Sequence, residues 1–131
     1  MRFADVMKTE DWKKEKHVPV IISPDKVKTG EAVSVEVKVG QEIAHPNTTE
    51  HHIRWIKLYF MPEGGKFVYE LAGFDFAAHG ESAEGANKGP VYTEPSGRAV
   101  VKLTASGTLL ATAYCNIHGI WENSRQITVE G

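Results

Sequence analysis

The sequence holds one cysteine, so no disulfide can form within the chain. A lone thiol accompanied by several histidines points instead to metal ligation or nucleophilic chemistry. No apolar run approaches the ~20 residues of a membrane-spanning helix. The first residues, MRFADVMKTEDWKKEK, are polar and lack the hydrophobic stretch of a secretory signal. Together these absences predict a cytoplasmic protein with no membrane partner. Neither sign of charge dominates: 17 acidic against 15 basic side chains leave −2, which argues against a nucleic-acid partner. Internal repeats, low-complexity tracts and a linker are also absent. What remains is 131 residues, 41% hydrophobic and 24% charged, the balance of one soluble domain over residues 1–131. At that length a core needs no staple. Histidine is the exception to this ordinary composition, with six residues.

The hydrophobic period is 2 over most of the chain. Val33, Val35, Val37 and Val39 alternate with Ser34, Glu36 and Lys38, the pattern of a half-buried strand. Ala99, Val101 and Leu103 repeat it, as do Leu109, Ala111 and Ala113, and then Ile127 and Val129. Val18 to Ile22, Ile53 to Met61 and Lys66 to Phe76 are further strand candidates. Turn chemistry separates them at Ser23-Pro24-Asp25, Lys28-Thr29-Gly30, Pro62-Glu63-Gly64-Gly65, Pro95-Ser96-Gly97 and Ser106-Gly107. About seven short strands spaced in this way predict an all-β fold, an immunoglobulin-like antiparallel β-sandwich or barrel. Residues 77–94, small, polar and Gly-rich, read as an exposed loop.

Three segments carry five of the six histidines and the cysteine: Glu15-Lys16-His17-Val18-Pro19, His45-Pro46-Asn47-Thr48-Thr49-Glu50-His51-His52, and Cys115-Asn116-Ile117-His118-Gly119. Each borders a predicted strand, and strand ends on one side of a sandwich meet in space. Cys115 and His118, in a Cys-x-x-His spacing, can bend around a turn to one metal while turn amides hydrogen-bond the thiolate. Gly119 gives that turn its backbone freedom. His45 lies six residues from His51, which suits a loop folding back on itself. His51 and His52 point to opposite sides if a strand begins there, so only one faces the site, and periodicity does not select it. His17 alone reads as a surface or satisfied residue, and His79 has no neighbouring partner.

The donor count discriminates among metals. Structural zinc closes with four ligands, so one thiolate with three or more imidazoles over-supplies it. Blue copper takes two His, one Cys and an axial Met, but no methionine follows Cys115. Magnesium and calcium prefer oxygen. Nitrogen-rich ligation with one thiolate suits iron best.

Taken together the three segments resemble the superoxide reductase family in its single-iron, neelaredoxin form. Glu15-Lys16-His17-x-Pro19, His45-Pro46-Asn47-Thr48-Thr49-Glu50-His51 and Cys115-Asn116-x-His118-Gly119 occur in the family's order and spacing. The resemblance implies one mononuclear iron per chain, held by His17, His45, His51 and His118 with Cys115 axial, and so favours His51 over His52. It implies one-electron reduction of superoxide to hydrogen peroxide. Lys16 is then expected to attract the anion, and Glu15 to occupy the open position after turnover. It further implies a small electron donor such as rubredoxin and a homo-oligomer, often a tetramer. Two rival readings are a zinc-binding immunoglobulin-like module and a cupredoxin-like electron carrier. The two-iron relatives carry an additional four-cysteine domain, which a chain with one cysteine cannot build.

Overall fold

The alternating segments become eight strands in the computed structural model, which describes residues 1–131. They are β1 (Pro19–Ile22), β2 (Lys26–Lys28), β3 (Val33–Val39), β4 (Ile53–Pro62), β5 (Tyr69–Asp75), β6 (Ser96–Val101), β7 (Gly107–Cys115) and β8 (Gly119–Glu130). One short helix, α1 (Phe3–Val6), precedes them. A three-stranded sheet in the order β1-β3-β6 faces a five-stranded sheet in the order β2-β8-β7-β4-β5. The two inner faces meet in a cluster of 18 buried residues that runs from Ile21 to Ile127. This is the expected immunoglobulin-like sandwich.

Period 2 places the core residues as the sequence predicts. Val33, Val35, Val37 and Val39 all point inward, while Val100, on the opposite parity of its strand, is 71% exposed. On β7, Leu109, Ala111 and Ala113 are buried, and Cys115 is the next inward position. Alternation alone therefore delivers the thiol to the rim of the core.

Several boundaries differ from expectation. β2 has three residues with one buried side chain, Val27, too short to show a period. It pairs with β8 in parallel, so the sandwich is not wholly antiparallel. β8 spans twelve residues rather than the stretch around Ile127, because its first half is polar and only partly covered. β5 starts at Tyr69, three residues after the run that marked it, and β6 is shifted, starting at Ser96 within the expected turn and ending at Val101 before Leu103. The 77–94 segment is not simply exposed: His79 and Gly80 are buried within it.

One end of the sandwich gathers the three histidine-bearing segments. Pro19 pairs with Val39 across β1 and β3, so His17 and the loop after β3 leave from the same rim. Ile53 pairs with Cys115 across β4 and β7, which brings the far end of that loop to the same place. A register shift between Ile53 and Trp55 interrupts β4 there, the irregularity that re-aims side chains beside functional sites.

Candidate metal centre

Each donor is aimed by its local fold. Cys115 faces Gly119 at the tip of the β7–β8 hairpin, and Gly119 adopts φ +83°, which a side chain would disfavour. The resulting turn carries His118 back over the sulfur, with Nδ1 3.8 Å from Cys115 Sγ. The His118 amide donates to the same sulfur at 3.3 Å, as the turn was expected to allow.

The loop between β3 and β4 sets the next two rings. His45 donates from Nδ1 to the Pro46 carbonyl at 2.6 Å, leaving Nε2 as the free lone pair. Thr48 and His51 close a tight turn: Thr48 N donates to the His51 carbonyl at 3.0 Å, and His51 N donates to Thr48 Oγ1 at 3.0 Å. His51 faces the sulfur, whereas His52 turns away and donates from Nδ1 to the Thr48 carbonyl at 2.8 Å. Both residues precede β4, so the Thr48–His51 turn, not strand alternation, sets them on opposite sides.

His17 is fixed by Glu15, which accepts from the His17 amide and, at 2.7 Å, from Nδ1. A carboxylate on one nitrogen fixes the tautomer and presents the other. Nε2 thus faces inward, 3.1 Å from His118 Nδ1. Glu15 is engaged with a ring, not directed at an open position. Trp121 stacks on the outer face of His17, with centroids 4.8 Å apart and planes 14° apart, and its indole donates to the His118 carbonyl at 3.1 Å.

The four imidazoles form a closed circuit. Successive centroid separations are 4.9 Å for His17–His45, 4.7 Å for His45–His51, 5.0 Å for His51–His118 and 4.8 Å for His118–His17. Across the circuit His17 and His51 stand 6.3 Å apart. One donor atom from each of His17, His45, His51 and Cys115 lies within 4.8 Å of the others. Cys115, His17 and His45 are buried, His51 is half-buried and His118 is exposed. The centre is therefore closed toward the core and open on the His118 side.

The donor set suits a metal. His45 Nε2 and His51 Nε2 are buried with no hydrogen-bond partner, a costly state for polar atoms unless a cation completes them. Burial pushes the His45 ring down to about 4, against its bond to Pro46 and with help from the neighbouring rings and Lys16. Burial also lowers His17, where Glu15 opposes it, and His51, where His118 and His17 reinforce it. All three rings are neutral at pH 7, the form that ligates. Burial raises Glu15, but its bonds to His17 outweigh that and leave the carboxyl below its usual range.

Four contributors carried no clear signal in the sequence. Asn116 accepts from the His52 amide at 2.9 Å and donates to the Glu50 carbonyl at 2.9 Å, tying the cysteine turn to the histidine loop. Trp121 lies on a strand whose start was not recognised. His79 stacks on His52 with centroids 3.5 Å apart, and Asn87 holds Thr49 and Glu50 from outside. Only their contacts across the fold reveal them.

Comparison with known proteins agrees with this geometry. The desulfoferrodoxin family profile matches residues 9–124. Neelaredoxin from Megalodesulfovibrio gigas is 52% identical over 130 residues, covering 99% of this chain and 100% of its own. Superoxide reductase from Pyrococcus furiosus is 54% identical over 127 residues, covering 97% of this chain and 98% of its own. Among solved structures, reduced superoxide reductase (neelaredoxin) from Archaeoglobus fulgidus superposes with a TM-score of 0.87. It is 51% identical and covers 94% of this chain and 98% of that one.

Proposed function

Since the chain belongs to the desulfoferrodoxin family, we propose that residues 1–131 act as one domain that reduces superoxide to hydrogen peroxide at one mononuclear iron. The observation that carries this reading is the circuit of four imidazoles around a single thiolate. Five donors over-supply structural zinc, and the absence of a methionine after Cys115 removes the usual blue-copper set. His17, His45, His51, His118 and Cys115 would hold the metal. Bound there, iron supplies a one-electron couple whose potential the thiolate helps to set.

The chain's own residues prepare the centre for a small anion. Net chemistry takes one superoxide, one electron and two protons to one hydrogen peroxide. Lys16 brings a compact ammonium whose field already acts on His17, His45 and His51. In that place it attracts superoxide and hydrogen-bonds the reduced oxygen species, an interaction of about 1.5–3 kcal/mol. A local positive charge steers an anion even where the net charge is slightly negative. Glu15 orients His17 in this geometry. Release of that bond would free its carboxylate for the open position, the second role the family likeness suggests.

The electron comes from outside the domain. We assign it to a small iron protein of the rubredoxin kind, meeting the open His118 side. The working form is a cytoplasmic homo-oligomer, a tetramer by analogy with the family.

Metal analysis with a visible spectrum and superoxide consumption under reduced rubredoxin tests the reading. One iron per chain, a blue oxidised protein and peroxide formation are expected. Stoichiometric zinc, no colour and no turnover would reject it.

A further inference from the structure

The 77–94 segment grips the histidine loop from the side away from the metal centre. Asn87 Oδ1 accepts from the Thr49 amide at 2.8 Å, and the Asn87 amide donates to Thr49 Oγ1 at 3.1 Å. Asn87 Nδ2 donates to both carboxylate oxygens of Glu50, at 3.1 and 2.9 Å. Thr49 Oγ1 in turn donates to the His79 carbonyl at 2.7 Å. The tip of the histidine loop is thus pinned twice, by Asn116 on the inner side and by Asn87 on the outer side.

Asn87 also has the only positive φ outside glycine, at 61°. Backbone held in that region persists where surrounding contacts over-determine it, and such positions cluster at functional sites. Here the left-handed turn directs backbone and side chain together onto Thr49 and Glu50. Glu50 directly precedes His51, whose Nε2 lies buried and unpartnered at the centre. Glu50 is thus one peptide bond from that ring, beside the Thr48–His51 turn that also holds it.

We propose that Asn87 is a positioning residue for the metal centre, holding the Thr49–Glu50 tip so that His51 stays aimed at the sulfur. The proposal rests on the iron-site reading above. Outer partners that orient a ligand commonly matter about 10–100-fold in metal affinity. A grip one residue removed from the ligand belongs near the lower end.

Two variants separate positioning from general stability. Asn87→Gly tolerates the positive φ and removes every side-chain bond. Asn87→Asp keeps the acceptor for Thr49 but sets a second carboxylate against Glu50. Adding Glu50→Gln to it exchanges donor and acceptor across the same contact. The measurements are metal loss to a chelator from iron- and cobalt(II)-loaded protein, the visible spectrum of both forms, and melting of the metal-free protein. About tenfold faster metal loss and a displaced visible band are expected for Asn87→Gly and Asn87→Asp. Glu50→Gln with Asn87→Asp should restore both toward the wild type, which a general loss of stability would not do. Variants that hold metal and keep the wild-type spectrum would overturn the proposal, as would a reversed pair that restores nothing. Should Asn87→Gly fail to fold, the reversed pair decides alone. A wild-type chain that takes up neither iron nor cobalt would sink the parent reading instead.

Discussion

Acidifying the metal-free protein should destabilise it through His45 more than through any single carboxylate. In the fold this ring titrates at about 4 instead of 6.5, chiefly because burial penalises its charged form. Once unfolded, it takes up a proton as the pH falls below about 6.5. Between those values the unfolded chain binds more protons than the folded one, so stability falls as pH falls. Relative to about pH 8, the linkage relation makes this loss about 2 kcal/mol at about pH 5 and about 3 kcal/mol at about pH 4. His17 and His51 are lowered too and act in the same direction. Glu15, Glu50 and Glu81 are also lowered, but carboxylates of that kind release their contribution only as pH falls below about 4.5. The window from about pH 8 to about pH 5 therefore isolates the imidazoles. Urea unfolding of metal-free wild type and His45→Gln across that window is the assay. Glutamine cannot titrate, so its stability should fall by about 2 kcal/mol less. Parallel pH profiles for the two proteins would refute the reasoning.

Lys16→Ala should slow the reaction with superoxide and flatten its dependence on ionic strength, because salt screens an attracting charge; pulse radiolysis across salt concentrations measures both, and unchanged rates and slopes would remove Lys16 from the mechanism. His51→Ala should lose iron while His52→Ala retains it, since only His51 joins the cluster with Cys115. Loss of the stack on His79 should cost His52→Ala about 1 kcal/mol beyond the ring's buried area, read by melting. Cys115→Ser should abolish the visible band of the oxidised protein and collapse superoxide reduction, because serine removes the only soft donor. A variant that stays blue and active would show that Cys115 is only a core residue.

Strand parity is why so much of the fold was legible. A residue that must face a core on every second position announces itself, and β3 and β7 do so over their full lengths. β2 and the first half of β8 escape for the converse reason. Three residues cannot display a period, and Glu122, Asn123 and Ser124 lie on a stretch that the core covers only in part. Their pairing is fixed by neighbours already in place, which a local pattern does not encode.

The centre divides along a similar line. Its donors stood out because thiolate and imidazole are scarce side chains with particular chemistry, grouped in short segments at strand ends. The groups that aim them are amides, carbonyls and an indole, common everywhere and distinguishable only by what they touch. In the sequence Asn116 is one position of a motif, Asn87 one polar residue of the 77–94 loop, and Glu15 the first residue of the Glu15-Lys16-His17 segment. In the fold, Glu15 fixes a tautomer, Asn116 joins two ligand segments, and Asn87 braces one of them from behind. Chemistry at such a site requires neutral rings held at fixed angles in a partly buried place. Burial and neighbouring charge hold His17, His45 and His51 neutral, but only the surrounding hydrogen bonds can hold the angles. Sequence reading therefore reaches the candidate donors sooner than it reaches their orientation, and the small, polar 77–94 loop touches the segment that carries His45 and His51.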